Sequence, residues 1–131
     1  MGGNIDYTIT TDNGVEEVAE MLQESLKEKG YGILSRIDVQ KILKEKNDQT
    51  IEPYLILDVC NPKHAGNAIQ THKDVGLVLP CKISIYREND STKVSLLKPT
   101  EAIKLTGLDG LDELAGSVEV ELQQTIKSMI E

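Results

Sequence analysis

Tyr54-Leu55-Ile56-Leu57-Asp58-Val59-Cys60-Asn61-Pro62 is the stretch on which the fold turns. Leu55, Leu57 and Val59 share one parity; Tyr54, Ile56, Asp58 and Cys60 share the other. Nearly every position but Asp58 is apolar, so the run from Glu52 to Cys60 reads as a central strand. Asn61-Pro62 then starts a helix. Asparagine accepts hydrogen bonds from the first free amides, and proline at the first helical position has no amide to satisfy. Ala65, Ala68 and Ile69 give this helix a thin apolar face.

Upstream, Ile5, Tyr7 and Ile9 alternate with Asp6, Thr8 and Thr10, a half-buried strand. After the turn Thr11-Asp12-Asn13-Gly14, Asn13 and Glu16 have the spacing of a capping box. Val15, Val18, Ala19, Leu22 and Leu26 follow at helical spacing until Gly30, with Lys27 and Lys29 at the negative end. Tyr31 to Ile37 reads as a second strand. Asp38 caps a short helix bearing Val39, Ile42 and Leu43, closed by the polar run Lys44 to Thr50.

Downstream, Val75, Leu77, Leu79, Cys81, Ile83 and Ile85 keep a period of two, which predicts one long strand from Asp74 to Arg87. Glu88-Asn89-Asp90-Ser91 is a hairpin turn, Thr92 to Lys98 returns antiparallel, and Pro99 ends the strand. Thr100 to Leu105 has room for one helical turn. A last helix carries Leu111, Leu114, Ala115, Val118, Leu122, Ile126 and Met129. The expected architecture is a single α+β domain over residues 1–131. It has a mainly antiparallel sheet, the two longer helices on one face, and short helical insertions.

Composition narrows the function classes. With four Tyr and neither Trp nor Phe, the core is built from Leu, Ile and Val. The 22 acidic and 14 basic residues give a net charge of −8, which repels phosphate backbones, and few aromatics remain for stacking bases. Nucleic acid is therefore not an expected partner. No run approaches the ~18 apolar residues of a membrane span. The start, Met1-Gly2-Gly3-Asn4-Ile5-Asp6, lacks the basic and apolar regions of a secretory signal. Two cysteines in that setting point to reduced thiols and a cytoplasmic location.

Several words of the sequence fall in a specific order: Lys29-Gly30-Tyr31-Gly32-Ile33-Leu34, Ile37-Asp38-Val39, the run from Pro53 to Pro62, Ala65, Gly76-Leu77-Val78-Leu79-Pro80-Cys81, and Pro99. In these the chain resembles the DUF302 family, small and mostly uncharacterised prokaryotic proteins, from about residue 5 to 105. The resemblance implies a fold similar to one half of the TATA-binding protein, with strand, helix, four strands and helix in that order. It also implies a homodimer, and it supplies no activity. The likeness to a DNA-binding fold carries no DNA binding with it, which the charge of −8 opposes.

The chemical candidates are the two cysteines, in Val59-Cys60-Asn61-Pro62 and Leu79-Pro80-Cys81-Lys82. Cys60 stands one residue outside a helix N-terminus, where the positive helix end lowers a thiol pKa, and Asp58 opposes that effect. The competing reading makes Cys60 a small buried filler. Cys81 falls in phase with Leu77, Leu79, Ile83 and Ile85, which places it in the core, unless a bulge at Pro80 re-aims it toward Cys60. Tyr54, Asp58, Cys60, Asn61, Pro80 and Cys81 together form the candidate ligand pocket. A three-ligand zinc set of Cys60, His64 and Cys81 is the weaker alternative to no metal, since neither CxxC nor HxxxH occurs. No cofactor is expected, because Gly107-Leu108-Asp109-Gly110 lacks the preceding strand and basic residue of a phosphate loop. Two functions remain. One is a non-enzymatic small-ligand-binding or interaction domain. The other is a thiol-dependent redox or group-transfer protein using Cys60, with Cys81 as resolving thiol.

Overall fold

The computed structural model describes residues 5–129. Five strands, β1 (Asp6–Thr11), β2 (Gly32–Asp38), β3 (Tyr54–Cys60), β4 (Cys81–Glu88) and β5 (Ser91–Leu97), form one sheet. Its order is β1-β5-β4-β3-β2 and every pairing is antiparallel. The helices are α1 (Val15–Glu28), α2 (Val39–Asn47), α3 (Pro62–Thr71), α4 (Pro99–Thr106) and α5 (Asp112–Ser128), with a 3-10 helix over Lys73–Val78. Among the described residues no helix is long and apolar enough to cross a membrane.

The alternation in β3 sets the core. Leu55, Leu57 and Val59 are buried with Ile83 and Ile85 of β4 and Val94 and Leu96 of β5. Val18, Leu22 and Leu26 of α1 and Val118, Leu122 and Ile126 of α5 pack onto this same face. The α+β reading with the first and last helices on one side of an antiparallel sheet therefore holds. β3 is an interior strand of the sheet, and Tyr54, Ile56, Asp58 and Cys60 on its opposite face are half-buried. In β2 the register slips between Ile33 and Ser35. Leu34 is left 64% exposed and Ser35 comes to lie opposite Asp58.

Three local expectations are corrected. Residues 73–78 are a 3-10 helix, and β4 begins only at Cys81, after the cis Leu79–Pro80 peptide. The cause is the absence of a partner. Val59 pairs with Cys81 and β3 ends at Cys60, so a strand extending back to Asp74 would carry an unpaired ladder. The N-cap of α1 is Gly14, without a side-chain cap, in place of an Asn13–Glu16 box. The Asn13 carbonyl is instead held by the Thr92 hydroxyl at 2.6 Å, which ties it to the β4–β5 hairpin. The single turn expected after Pro99 is a helix of eight residues. By contrast, the Asp38 cap is as expected, its carboxylate accepting from the Lys41 amide at 3.0 Å.

Candidate functional site

Three strand ends meet at one end of the sheet: the last residue of β3 (Cys60), the first of β4 (Cys81) and the last of β5 (Leu97). A second apolar cluster of Ala68, Val75, Ile103, Leu111 and Ala115 sits beyond them, contributed by α3, the 3-10 helix, α4 and α5. Between this helical cap and the sheet is a cavity of about 80 Å³. Val59, Ala68, Val75, Ile103, Ala115 and Val118 are among its apolar walls. Its polar groups belong to Tyr31, Cys60, Asn61, His64, Cys81 and Lys82.

Each polar group is placed by local chain chemistry. Asn61 caps α3, its Oδ1 accepting from the Lys63 amide at 3.0 Å and the His64 amide at 3.2 Å. That cap puts His64 in the first turn of α3. Gly30 has φ +85°, a conformation that L side chains rarely adopt, and a Cβ there would meet Asn61 Nδ2 at 3.4 Å. The turn delivers Tyr31 into the interior, where it is 4% exposed. The Tyr31 hydroxyl donates to Glu121 Oε1 of α5 at 2.8 Å, and His64 Nε2 lies 3.5 Å from the same oxygen. The two rings are tilted at 52° with centroids 6.3 Å apart. Burial, and then the Glu121 carboxylate, hold the Tyr31 phenol well above its usual range, so it stays protonated.

Both cysteines line the cavity and both are free thiols. Burial raises the Cys60 thiol, which reverses the lowering expected from the helix end. The Asn61 side chain already satisfies two of the free amides of α3, and desolvation is left as the dominant effect. Burial pushes Cys81 up to about 11, with a smaller contribution from Cys60. Cys81 keeps the parity of Ile83 and Ile85 and packs against the main core.

Of the six pocket residues read from the sequence, Cys60, Asn61, Pro80 and Cys81 come together around the cavity, whereas Tyr54 and Asp58 do not. Asp58 lies on the open face of β3, accepting from Lys82 Nζ and the Ser35 hydroxyl, which hold its carboxyl below the usual range in that order. Tyr54 stacks on Tyr86 with centroids 5.1 Å apart, beside a separate groove at the start of α1. Among the described residues no three His, Cys, Asp or Glu side chains converge as metal ligands, so Cys60, His64 and Cys81 share a cavity without forming a zinc centre. No hydrogen bond joins Cys60 to His64, whose Nε2 is turned to Glu121; the contact of an activated thiol with its base is not made. Tyr31 and Glu121 were invisible as site residues. They are 90 positions apart, and Glu121 stands beside Leu122 on a helix whose stripe shows only packing.

Comparison with known proteins follows this geometry. Residues 7–129 match the family model described as DUF302, Domain of unknown function. The chain is similar to an uncharacterized conserved DUF302 protein from Bacillus stearothermophilus known from its crystal structure. Identity is 35%, the match covers 95% of this chain and 98% of that one, and the TM-score is 0.90. No curated protein matches the chain.

Proposed function

The chain belongs to the DUF302 family, and we propose that it is a non-enzymatic domain that binds a small, mainly apolar ligand at the end of its sheet. The observation that carries this reading is the cavity itself. Its roughly 80 Å³ is several times the ~10–15 Å³ that one water requires, and apolar walls with a few converging polar groups are the usual make-up of a ligand site. The thiol-dependent reading is weaker, because burial raises both thiols and neither has a base in contact. Two unpaired cysteines suit a reducing cytoplasm.

Xenon is the direct probe of an apolar void. Amide shifts under xenon pressure should localise to Val59, Ala68, Val75, Ile103 and Ala115, and should vanish when Ala115→Leu fills the space. Shifts that are absent, or scattered over the surface, would remove the ligand-binding reading. A homodimer without nucleic-acid affinity completes the proposal. It rests on the family likeness and the net charge of −8. Light scattering giving a monomer mass at micromolar concentrations counts against the dimer, and micromolar DNA or RNA binding at physiological salt counts against the charge argument.

A further inference from the structure

The polar end of the cavity has a definite inventory of occupied and free hydrogen-bonding groups, and that inventory selects a ligand head group. Tyr31 spends its only proton on Glu121 Oε1, which leaves the phenolic oxygen free as an acceptor. His64 Nε2 lies 3.5 Å from the same carboxylate oxygen, on the Glu121 side of the site. Asn61 Oδ1 is taken by two backbone amides, and its Nδ2 donates to no group among the described residues. Lys82 carries the only lysine or arginine charge on the lining, and it is tied to Asp58.

The cavity lining thus holds a free acceptor on Tyr31 and a free donor on Asn61, with no uncommitted Lys or Arg. A carboxylate or phosphate entering here would lose its water opposite Glu121 without gaining a lysine or arginine partner, and an unpaired buried charge is costly. A hydroxyl uses both kinds of free group, donating to the Tyr31 oxygen and accepting from Asn61 Nδ2. We infer that the ligand of this cavity is a compact, uncharged alcohol, with its hydrocarbon body against Ala68, Val75 and Ala115 and its hydroxyl at Tyr31 and Asn61. The inference rests on the ligand-binding reading and adds the head group to it.

A series on one hydrocarbon body tests it: tert-butanol and pivalate, titrated at pH 7 into the full chain and followed by amide shifts of Tyr31 and of residues 61–65. Tert-butanol should give saturable shifts there, with pivalate at least about tenfold weaker. Tyr31→Phe, which removes the accepting oxygen but little volume, should weaken tert-butanol about three- to tenfold while leaving xenon uptake unchanged. Pivalate binding as well as tert-butanol, or Tyr31→Phe without effect on the alcohol, overturns the inference. So does xenon entry without any tert-butanol binding, and in that case the cavity reading survives. Failure of xenon itself to enter overturns both.

Discussion

Alkylation of the two cysteines against pH gives the sharpest measure of their burial. The Cys81 thiol is pushed from an ordinary 9.0 to about 11, chiefly by desolvation and then by the neighbouring Cys60. That rise cuts the thiolate population at pH 8 about a hundredfold, equivalent to about 2.7 kcal/mol against the charged form. Cys60 is raised as well, by burial alone. Iodoacetamide labelling should be followed for wild type, Cys60→Ser and Cys81→Ser, with urea-unfolded samples as references. In Cys60→Ser, where only Cys81 remains, the folded rate at pH 8 should be roughly a hundredfold below the unfolded one, with its rise displaced toward pH 11. Cys81→Ser should label faster than this but slower than unfolded chain. The reasoning fails if Cys60→Ser labels within threefold of its unfolded reference and with an ordinary midpoint. A Cys60 midpoint below pH 8 would restore the thiol-dependent alternative. The linkage has a sign. A group whose pKa is raised by folding lends stability that is whole below its unfolded value and is lost as pH climbs through its folded one. Wild type should therefore lose stability relative to Cys81→Ser between about pH 9 and 11.

Asn61→Ala removes the acceptor for two amides of α3 and should cost about 1 kcal/mol in urea unfolding, with faster amide exchange confined to the first turn of that helix. Asp58 has its carboxyl lowered by Lys82 and Ser35, so its contribution is present above the unfolded carboxylate value of ~3.9 and is lost as pH falls through the lower folded value. Because Lys82 is half-exposed the effect should stay below about 1 kcal/mol, read as a wild-type minus Asp58→Asn difference that vanishes in acid; a constant difference refutes it. Leu57→Ala, at a fully buried position of β3, should cost about 2–5 kcal/mol by the same urea assay.

The sheet was legible because its signals were local. Period-two runs mark β1 and β3, Asp38 marks α2, Asn61-Pro62 marks α3, and the turn from Glu88 to Ser91 with Pro99 marks β5. Residues 75–79 misled because alternation alone does not say whether a neighbouring strand exists. Val75 and Val78 are also three apart, the spacing of a 3-10 turn, and both line the cavity while Leu77 is 87% exposed. The site was legible mostly where chain neighbours build it, with His64 reached only as a zinc candidate four residues from Cys60. Cys60 with Asn61, and Pro80 with Cys81, were visible as pairs. Tyr54 and Asp58 were drawn in by parity with Cys60, although that parity directs them to the open face while Cys60 sits at the strand end where α3 begins. The Tyr31–His64–Glu121 contact spans three elements and leaves no spacing to detect.

The prolines show what places the cavity. Of the four in the chain, Pro62 follows the end of β3 by two residues, Pro80 immediately precedes β4, and Pro99 follows the end of β5 by two. A proline contributes no amide to a ladder, so three adjacent strands are stopped at one level without leaving a donor unpaired at those positions. Beyond that level the chain continues as the short helices α3 and α4, which together with the start of α5 turn small residues to the cavity: Ala65 and Ala68 in α3, Ala102 in α4, Ala115 in α5. Small side chains on helices that are anchored by strand ends cannot close the space between cap and sheet, so a void remains where the strands stop. Cys60 and Cys81 flank it because they occupy the terminal positions of two paired strands. Their position beside the prolines follows from the geometry of strand termination, which accounts for the Cys-Asn-Pro and Leu-Pro-Cys words without assigning either thiol a reaction.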